Sequence, residues 1–415
     1  NKRIHELAMS LPTVSIAQSH HNTAALPPQP CPDTIKAILP PDRCAVAQEM
    51  ISNWEGYQPT PLLNLQGLSN AVGVQSIFYK DESERFGLRS FKALGGAYAV
   101  QQVLQQVLNQ RPSSESVSLT DINDGKFADE VKNITVVTAT DGNHGRSVAW
   151  GAERFGCECM IYMHANVSQA RQEAVEAFGA TVIRVDGNYD DSVRQADLDA
   201  KENDWHIVSD TSYPGYMEVP RDVMAGYTLM TTEAMDQLPE SVIPSHVFIQ
   251  GGCGGLAGAV CADLWFRYGK DMPHIVVVEP VPAACLYESA KAGEERVVNI
   301  TEESLMAGLS CGEVSALGWE ILHAGARHFT TISDAPIGPL MQLLAKGVES
   351  DGPVVSGESA IAGIAGLIGA INDDQLAREM SLDHQSRILI FGTEGATDPE
   401  LYEALVGVPA EAVLS

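Results

Sequence analysis

The chain has 415 residues, 45% of them hydrophobic, and a formal charge of −28. That length and apolar content support a sizeable core, as two domains or one large α/β unit, and exclude global disorder. The acidic excess argues against nucleic acid and anionic membranes as partners, whereas a small anionic ligand answers to local fields.

Residues 1–45 carry Pro27, Pro28, Pro30, Pro32, Pro40 and Pro41 with little periodicity and read as an arm wrapping another surface, such as a second subunit. The N-terminus has Lys2, Arg3, His5 and Glu6 but lacks the apolar core of a signal peptide. Because the chain opens on Asn, a preceding targeting segment is left open. Ala45–Trp54 is helical in pattern, and Ser76–Tyr79 is a short β-like run. Ser90 is placed as a helix N-cap, with Lys92 in the first turn and Gly95 and Gly96 inside the helical pattern. A glycine pair there, at roughly 1 kcal/mol each relative to Ala, implies close packing against the helix start. Lys92, flanked by Phe91, Ala93 and Leu94, is a candidate amine nucleophile, on the expectation that burial lowers its pKa. Taken alone it reads more readily as an ordinary surface lysine.

Helix is expected over 97–109, and Arg111–Glu130 reads as a long polar loop. Strands at 134–139, 157–163, 181–185 and 205–208 then alternate with helices at 145–155, 169–178 and 190–202. A second series places strands at 246–250, 274–279 and 387–391, and helices at 256–268, 337–346, 363–371 and from Pro399. Alternation of this kind means parallel sheets covered on both faces, with a ligand beyond the strands' C-terminal ends. The most apolar stretch, 353–371, is interrupted by Ser356, Glu358 and Ser359, so no membrane span is expected. Eight cysteines are too sparse for a disulfide framework and fit a reducing, cytoplasmic compartment. Cys157 and Cys159 read as core thiols rather than metal ligands.

The loop Gly251-Gly252-Cys253-Gly254-Gly255 joins a strand to a helix, where free backbone amides and a helix N-terminus make a phosphate cradle. The alternatives are a ligand-free tight turn and a dinucleotide fingerprint. The latter needs its third glycine three residues after the second, whereas Gly258 is four after Gly254. In Thr138–Gly145, Asn143 offers an amide to a phenolic or carboxylate oxygen and Asp141 is a candidate acid or base. His144 reads as a capping or solvent-facing side chain. Asp210 follows a strand and is either catalytic or an Asx-turn residue. Thr393 lies just past another strand and is free for ligand duty, while Asp398 before Pro399 reads as an N-cap. An amine, a phosphate cradle and polar groups at strand ends together fit pyridoxal phosphate.

On S-F-K-A-L-G-G, D-G-N-H-G, G-G-C-G-G and V-E-P, in that order, the chain resembles the fold-type-II pyridoxal-phosphate enzymes. Further blocks, D-E-S-E-R-F-G-L-R, V-S-D-T-S, M-A-G-L-S-C-G-E, S-G-E-S and F-G-T-E-G-A-T-D-P-E, are similar to those of the diaminopropionate ammonia-lyases. Asp141, where dehydratases usually carry Ser, is the most discriminating residue. The resemblance implies two parallel-sheet α/β domains, 1–132 with 213–415 and 133–212, holding pyridoxal 5'-phosphate in the cleft between them. It implies Lys92 as the Schiff-base lysine, Asn143 on the cofactor's 3-oxygen, and Thr393 opposite the pyridine nitrogen. It further implies α,β-elimination from both enantiomers of 2,3-diaminopropionate to pyruvate and two ammonia, with Lys92, Asp141 and Asp210 handling protons in a homodimer. A serine/threonine-dehydratase-type elimination is the alternative. Cys285 and Cys311 fall near these blocks and are open to two readings, a local bridge or reduced thiols.

Overall fold

The structure is a computed structural model and describes residues 10–140 and 142–415. In chain order its strands are β1 Ile16–His21, β2 Leu62–Asn64, β3 Ser76–Asp81, β4 Thr135–Ala139, β5 Glu158–His164, β6 Thr181–Val185, β7 His206–Ile207, β8 His246–Gln250, β9 His274–Pro280, β10 His328–Ile332 and β11 Arg387–Gly392. They form a seven-stranded sheet in the order β1-β10-β9-β8-β11-β3-β2 and a four-stranded sheet in the order β6-β5-β4-β7. The smaller sheet is wholly parallel. In the larger one β1 and β2 are antiparallel edges on a parallel centre.

Central parallel strands are buried on both faces and read as unbroken apolar runs. Val247, Ile249, Ile275, Val277, Leu389 and Phe391 face one core, packed with the helices Ala93–Asn109, Glu218–Gln237 and Gly255–Tyr268. Their neighbours Phe248, Val276, Val278, Ile388 and Ile390 face the other core, beneath the helix Ala362–Ile371. Among the described residues no helix is long and apolar enough to cross a membrane.

Three expectations are corrected. Part of the N-terminal arm is an edge of the chain's own sheet, since β1 pairs with β10, and Trp265 Nε1 donates to Gln29 O at 3.1 Å. The 111–130 segment contains two short helices, Leu119–Asn123 and Ala128–Val131, pinned by buried Val117, Leu119, Ile122 and Phe127. The Lys92 helix begins at Ala93, with Lys92 itself at the N-cap.

The Gly95–Gly96 pair is explained by helix crossings. A Cβ on Gly95 would stand 2.5 Å from Tyr227 Cε1, one on Gly96 would overlap Ser147 Oγ, and one on Gly226 would overlap the Leu94 carbonyl oxygen. Overpacking a core typically costs about 1–3 kcal/mol. Because a backbone carbonyl cannot rotate away, Gly226→Ala is expected at the upper end of that range. Urea denaturation would register it as a lower midpoint with an unchanged slope.

Four imidazoles stack across adjacent strands at one end of the larger sheet. His21–His328, His328–His274 and His274–His246 have ring centroids 4.8, 5.0 and 5.4 Å apart. Burial, then neighbouring cationic groups, pushes His328 down to about 4, and His274 lower still. The native state therefore binds fewer protons than the unfolded chain below the unfolded histidine value near 6.5. Stability is expected to fall as pH drops from about 6.5 towards 4, by up to about 1.4 kcal/mol per pH unit for each such ring. Above that window the row contributes no slope. Denaturation midpoints at pH 7.5 and 5 should differ less in His274→Gln than in the parent.

Candidate active site

Lys92 is held from both sides of its chain. Phe91 N donates to Thr393 O at 3.0 Å, and Gly96 N donates to Lys92 O at 2.9 Å. The preceding turn is anchored by buried charges. Arg85 Nε meets Glu82 Oε2 at 2.7 Å, and Arg85 Nη2 meets Glu233 Oε1 at 2.8 Å. Lys80 Nζ meets the same Glu233 oxygen at 2.9 Å. Phe86 and Arg89 adopt left-handed φ of 51° and 57°, a conformation costing roughly 1–2 kcal/mol per residue. The D-E-S-E-R block thus fixes the approach to Lys92.

Lys92 Nζ lies 3.0 Å from Asp210 Oδ2, over the rings of Phe91 and Tyr227, with centroids 5.3 and 5.6 Å away. Burial works to lower this ammonium's pKa, but Tyr227 and Asp210 outweigh it and hold the value above the ordinary lysine range. The expected downward shift is therefore reversed in the free amine. Burial likewise works to raise Asp210, and the Lys92 ammonium holds it well below the usual carboxylate range.

His144 is buried beside this pair rather than capping or facing solvent. Its Nε2 stands 2.9 Å from the Val208 carbonyl, which only accepts, so Nε2 carries the proton. Nδ1 is then a lone pair with no partner, 3.8 Å from Asp210 Oδ2. Burial lowers the ring's proton affinity.

The glycine loop follows β8 and ends in the helix Gly255–Tyr268, whose first-turn amides have no intrahelical partner. Gly252 and Gly254 have φ of 59° and 100°, the left-handed region that favours glycine. A Cβ on Gly251 would press to 2.7 Å from Glu279 Cγ. The main-chain oxygen of Asp210 lies 3.7 Å from the Cβ position of Gly255, so the turn that carries Asp210 runs beside the cradle. Thr393 Oγ1 accepts from Gln250 Nε2 at 2.8 Å, which leaves the threonine O–H free to donate. Asn143 Nδ2 donates to Glu394 Oε2 at 2.7 Å, using one of its two hydrogens.

Lys92, Asn143, Asp210, Gly251, Gly252, Cys253, Gly254, Gly255 and Thr393 all lie at or beside strand C-terminal ends, while Asp141 lies outside the described residues. Asp398 caps the helix Pro399–Val406 through Leu401 N at 3.1 Å. Cys285 and Cys311 are free thiols. Three residues escaped the sequence reading: Tyr227, Gln250 and Glu394. Glu394 directly follows Thr393 in F-G-T-E-G, and burial raises its proton affinity. Its neighbour Glu358 is pushed up to about 8 by burial and by Glu394.

These residues fit pyridoxal phosphate: an amine, a glycine-rich cradle in which Gly251 and Gly254 leave no room for a Cβ, and a hydroxyl with a free proton. The sequence profile of the family described as pyridoxal-phosphate dependent enzyme matches residues 54–391. Diaminopropionate ammonia-lyase of Escherichia coli strain K12 is 37% identical over 368 residues, 87% of this chain and 90% of the relative. That of Salmonella typhimurium is 38% identical over 358 residues, 84% and 88% of the two chains. The crystal structure of the Escherichia coli enzyme in complex with an aminoacrylate-PLP azomethine reaction intermediate superposes with a TM-score of 0.82 at 34% identity, covering 96% of this chain and 98% of that one. The selenomethionine holo form gives 0.83 at 35% identity, covering 95% and 98%. The chain is a fold-type-II pyridoxal-phosphate enzyme and belongs to the diaminopropionate ammonia-lyase family.

Proposed function

We propose that this chain eliminates the β-amine of 2,3-diaminopropionate, in both enantiomers, to give pyruvate and two ammonia with uptake of one water. The observation that carries the reading is the Lys92 Nζ–Asp210 Oδ2 contact of 3.0 Å beside the glycine loop. Pyridoxal phosphate, when bound, supplies the ring that accepts electrons released at Cα. Lys92 would hold it through its amine, and Thr393 O–H through the ring nitrogen. The Gly252, Cys253 and Gly255 amides of the Gly251–Gly255 loop would hold its phosphate, since Gly251 N and Gly254 N already donate to Val278 O and Gly251 O. The second hydrogen of Asn143 Nδ2 would serve the ring oxygen.

The chain's own groups then divide the proton work. While Lys92 is a free ammonium, Asp210 is its counter-ion. When that nitrogen gives up its charge, burial acts on Asp210 unopposed and its proton affinity rises. His144 Nδ1 is the acceptor placed to share that proton. Lys92 takes the Cα proton on one face, and Asp141 and Asp210 complete the set for the opposite enantiomer and the departing amine. A carboxylate beside a diamine also complements its second ammonium. We further propose a cytoplasmic homodimer in which 1–132 with 213–415 form the larger domain and 133–212 the smaller.

Pyruvate release from D- and L-diaminopropionate is expected to exceed that from serine by about 10²-fold or more in kcat/KM. Equal or faster release from serine, or keto-acid release from threonine at that level, would favour the dehydratase-type reading.

A further inference from the structure

A cavity of about 520 Å³ lies at the histidine end of the larger sheet. His246 opens β8 and Gly251 follows its last residue, Gln250. At about 3.3 Å per residue this puts the cavity some 17 Å from the glycine loop, at the opposite ends of the strands. Its size falls within the range of small-molecule pockets. Its walls are tied in place: besides the Trp265–Gln29 bond, Leu26 N donates to Ala324 O at 2.8 Å.

The cavity's charge runs against that of the chain. Lys270 and Arg327 both line it, and among the described residues neither side chain has a carboxylate or hydrogen-bond partner. Most other arginines near carboxylates in this acidic chain are paired, as Arg43, Arg85, Arg221 and Arg267 are. Glu379 also borders the cavity, but its Oε1 accepts from Gln375 Nε2 at 2.9 Å.

The imidazoles complete the polar wall. His246 is committed, with Nε2 2.7 Å from Met380 O and Nδ1 2.8 Å from Ser245 Oγ. His274 Nε2 and His328 Nδ1 share one proton at 2.8 Å, and the fully buried His328 Nε2 behind them has no partner. Trp265, Met272 and Pro273 supply an apolar side. A guanidinium offers paired donors in the geometry of a carboxylate or phosphate, and an ammonium adds a second point charge.

We propose that this cavity is a second ligand site, separate from the Lys92 pocket, for a small dianion held by Arg327 and Lys270 and backed by the histidine row. The shared chemistry is two negative charges on a compact body, as in a short dicarboxylate or a phosphate.

The test is isothermal titration calorimetry of the holoenzyme, whose glycine loop is already filled, with succinate and with inorganic phosphate at ionic strength fixed by sodium chloride. Saturable binding of one probe per chain is expected, and which probe binds tells a dicarboxylate site from a phosphate site. Arg327→Gln should weaken it at least tenfold and Arg327→Gln with Lys270→Gln should abolish it, while elimination stays within twofold of the parent. Glu379→Gln removes the one lining carboxylate and should tighten binding two- to threefold, a gain that misfolding cannot mimic. The proposal is overturned by no saturable heat with either probe, by binding unchanged in the double variant, or by no tightening in Glu379→Gln. A change of oligomeric state in the double variant would equally overturn it, since the cavity would then be covered by a second copy.

Discussion

Lys92→Ala is expected to lose elimination activity by a factor of about 10⁴ or more, the scale on which removing a nucleophile acts. The loss should be chemical rather than structural. Lys92 is about a quarter exposed, and the turn before it is held by the Glu82, Arg85, Glu233 and Lys80 charges rather than by its own side chain. Far-ultraviolet circular dichroism should therefore stay close to the parent. The visible absorbance of the cofactor-loaded protein should disappear, because no other amine lies beside the Gly251–Gly255 loop in the described contacts. Lys92→Arg separates charge from chemistry: a guanidinium can keep the pairing with Asp210 but cannot form the carbon–nitrogen bond. It should be as inactive as the alanine variant. Substantial pyruvate release by either variant would contradict the role assigned to this lysine.

The frame of the fold was legible because central parallel strands leave a plain signal. β8, β9 and β11 read as apolar runs, and the glycines after β8 marked the loop that follows. Elements without such a signal were missed. β1 is Ile-Ala-Gln-Ser-His-His, a polar edge strand whose place is set by pairing with β10 rather than by its own pattern. The helix Glu218–Gln237 is buried almost all round, so it shows no apolar stripe, and Tyr227 went unnoticed with it. At the site, residue types were readable but their electrostatics were not. The sign of the Lys92 shift depends on Asp210, 118 positions away in sequence. The Gly95–Gly96 pair does mark close packing, and its partners are Tyr227, Val223 and Ser147 on neighbouring helices. Asn143 was found from its loop, whereas its partner Glu394 could be found only once two distant loops met.

Asp210→Asn is expected to lower kcat by about 10²- to 10⁴-fold, the usual contribution of a positioned acid or base, and to change the titration of Lys92 in a definite direction. In the parent, Asp210 and Tyr227 hold the ammonium above its ordinary pKa against the opposing effect of burial. Asparagine keeps the shape and removes the charge, so burial gains ground and the Lys92 pKa falls. Only the neutral amine can attack a carbonyl. The rate at which cofactor-free Asp210→Asn takes up pyridoxal phosphate should therefore rise to its plateau at lower pH than in the parent, even though turnover is slower. A purely structural role for Asp210 would slow both processes without moving the pH profile. The partner change His144→Gln tests the same proton path from the other side. It keeps a polar side chain but removes the Nδ1 lone pair 3.8 Å from Asp210, so kcat should fall while the uptake profile of Lys92 stays where it is in the parent. Asp210→Asn with an unmoved uptake profile would mean that the 3.0 Å contact with Lys92 does not set the amine's charge, and the proton assignment built on it would fail.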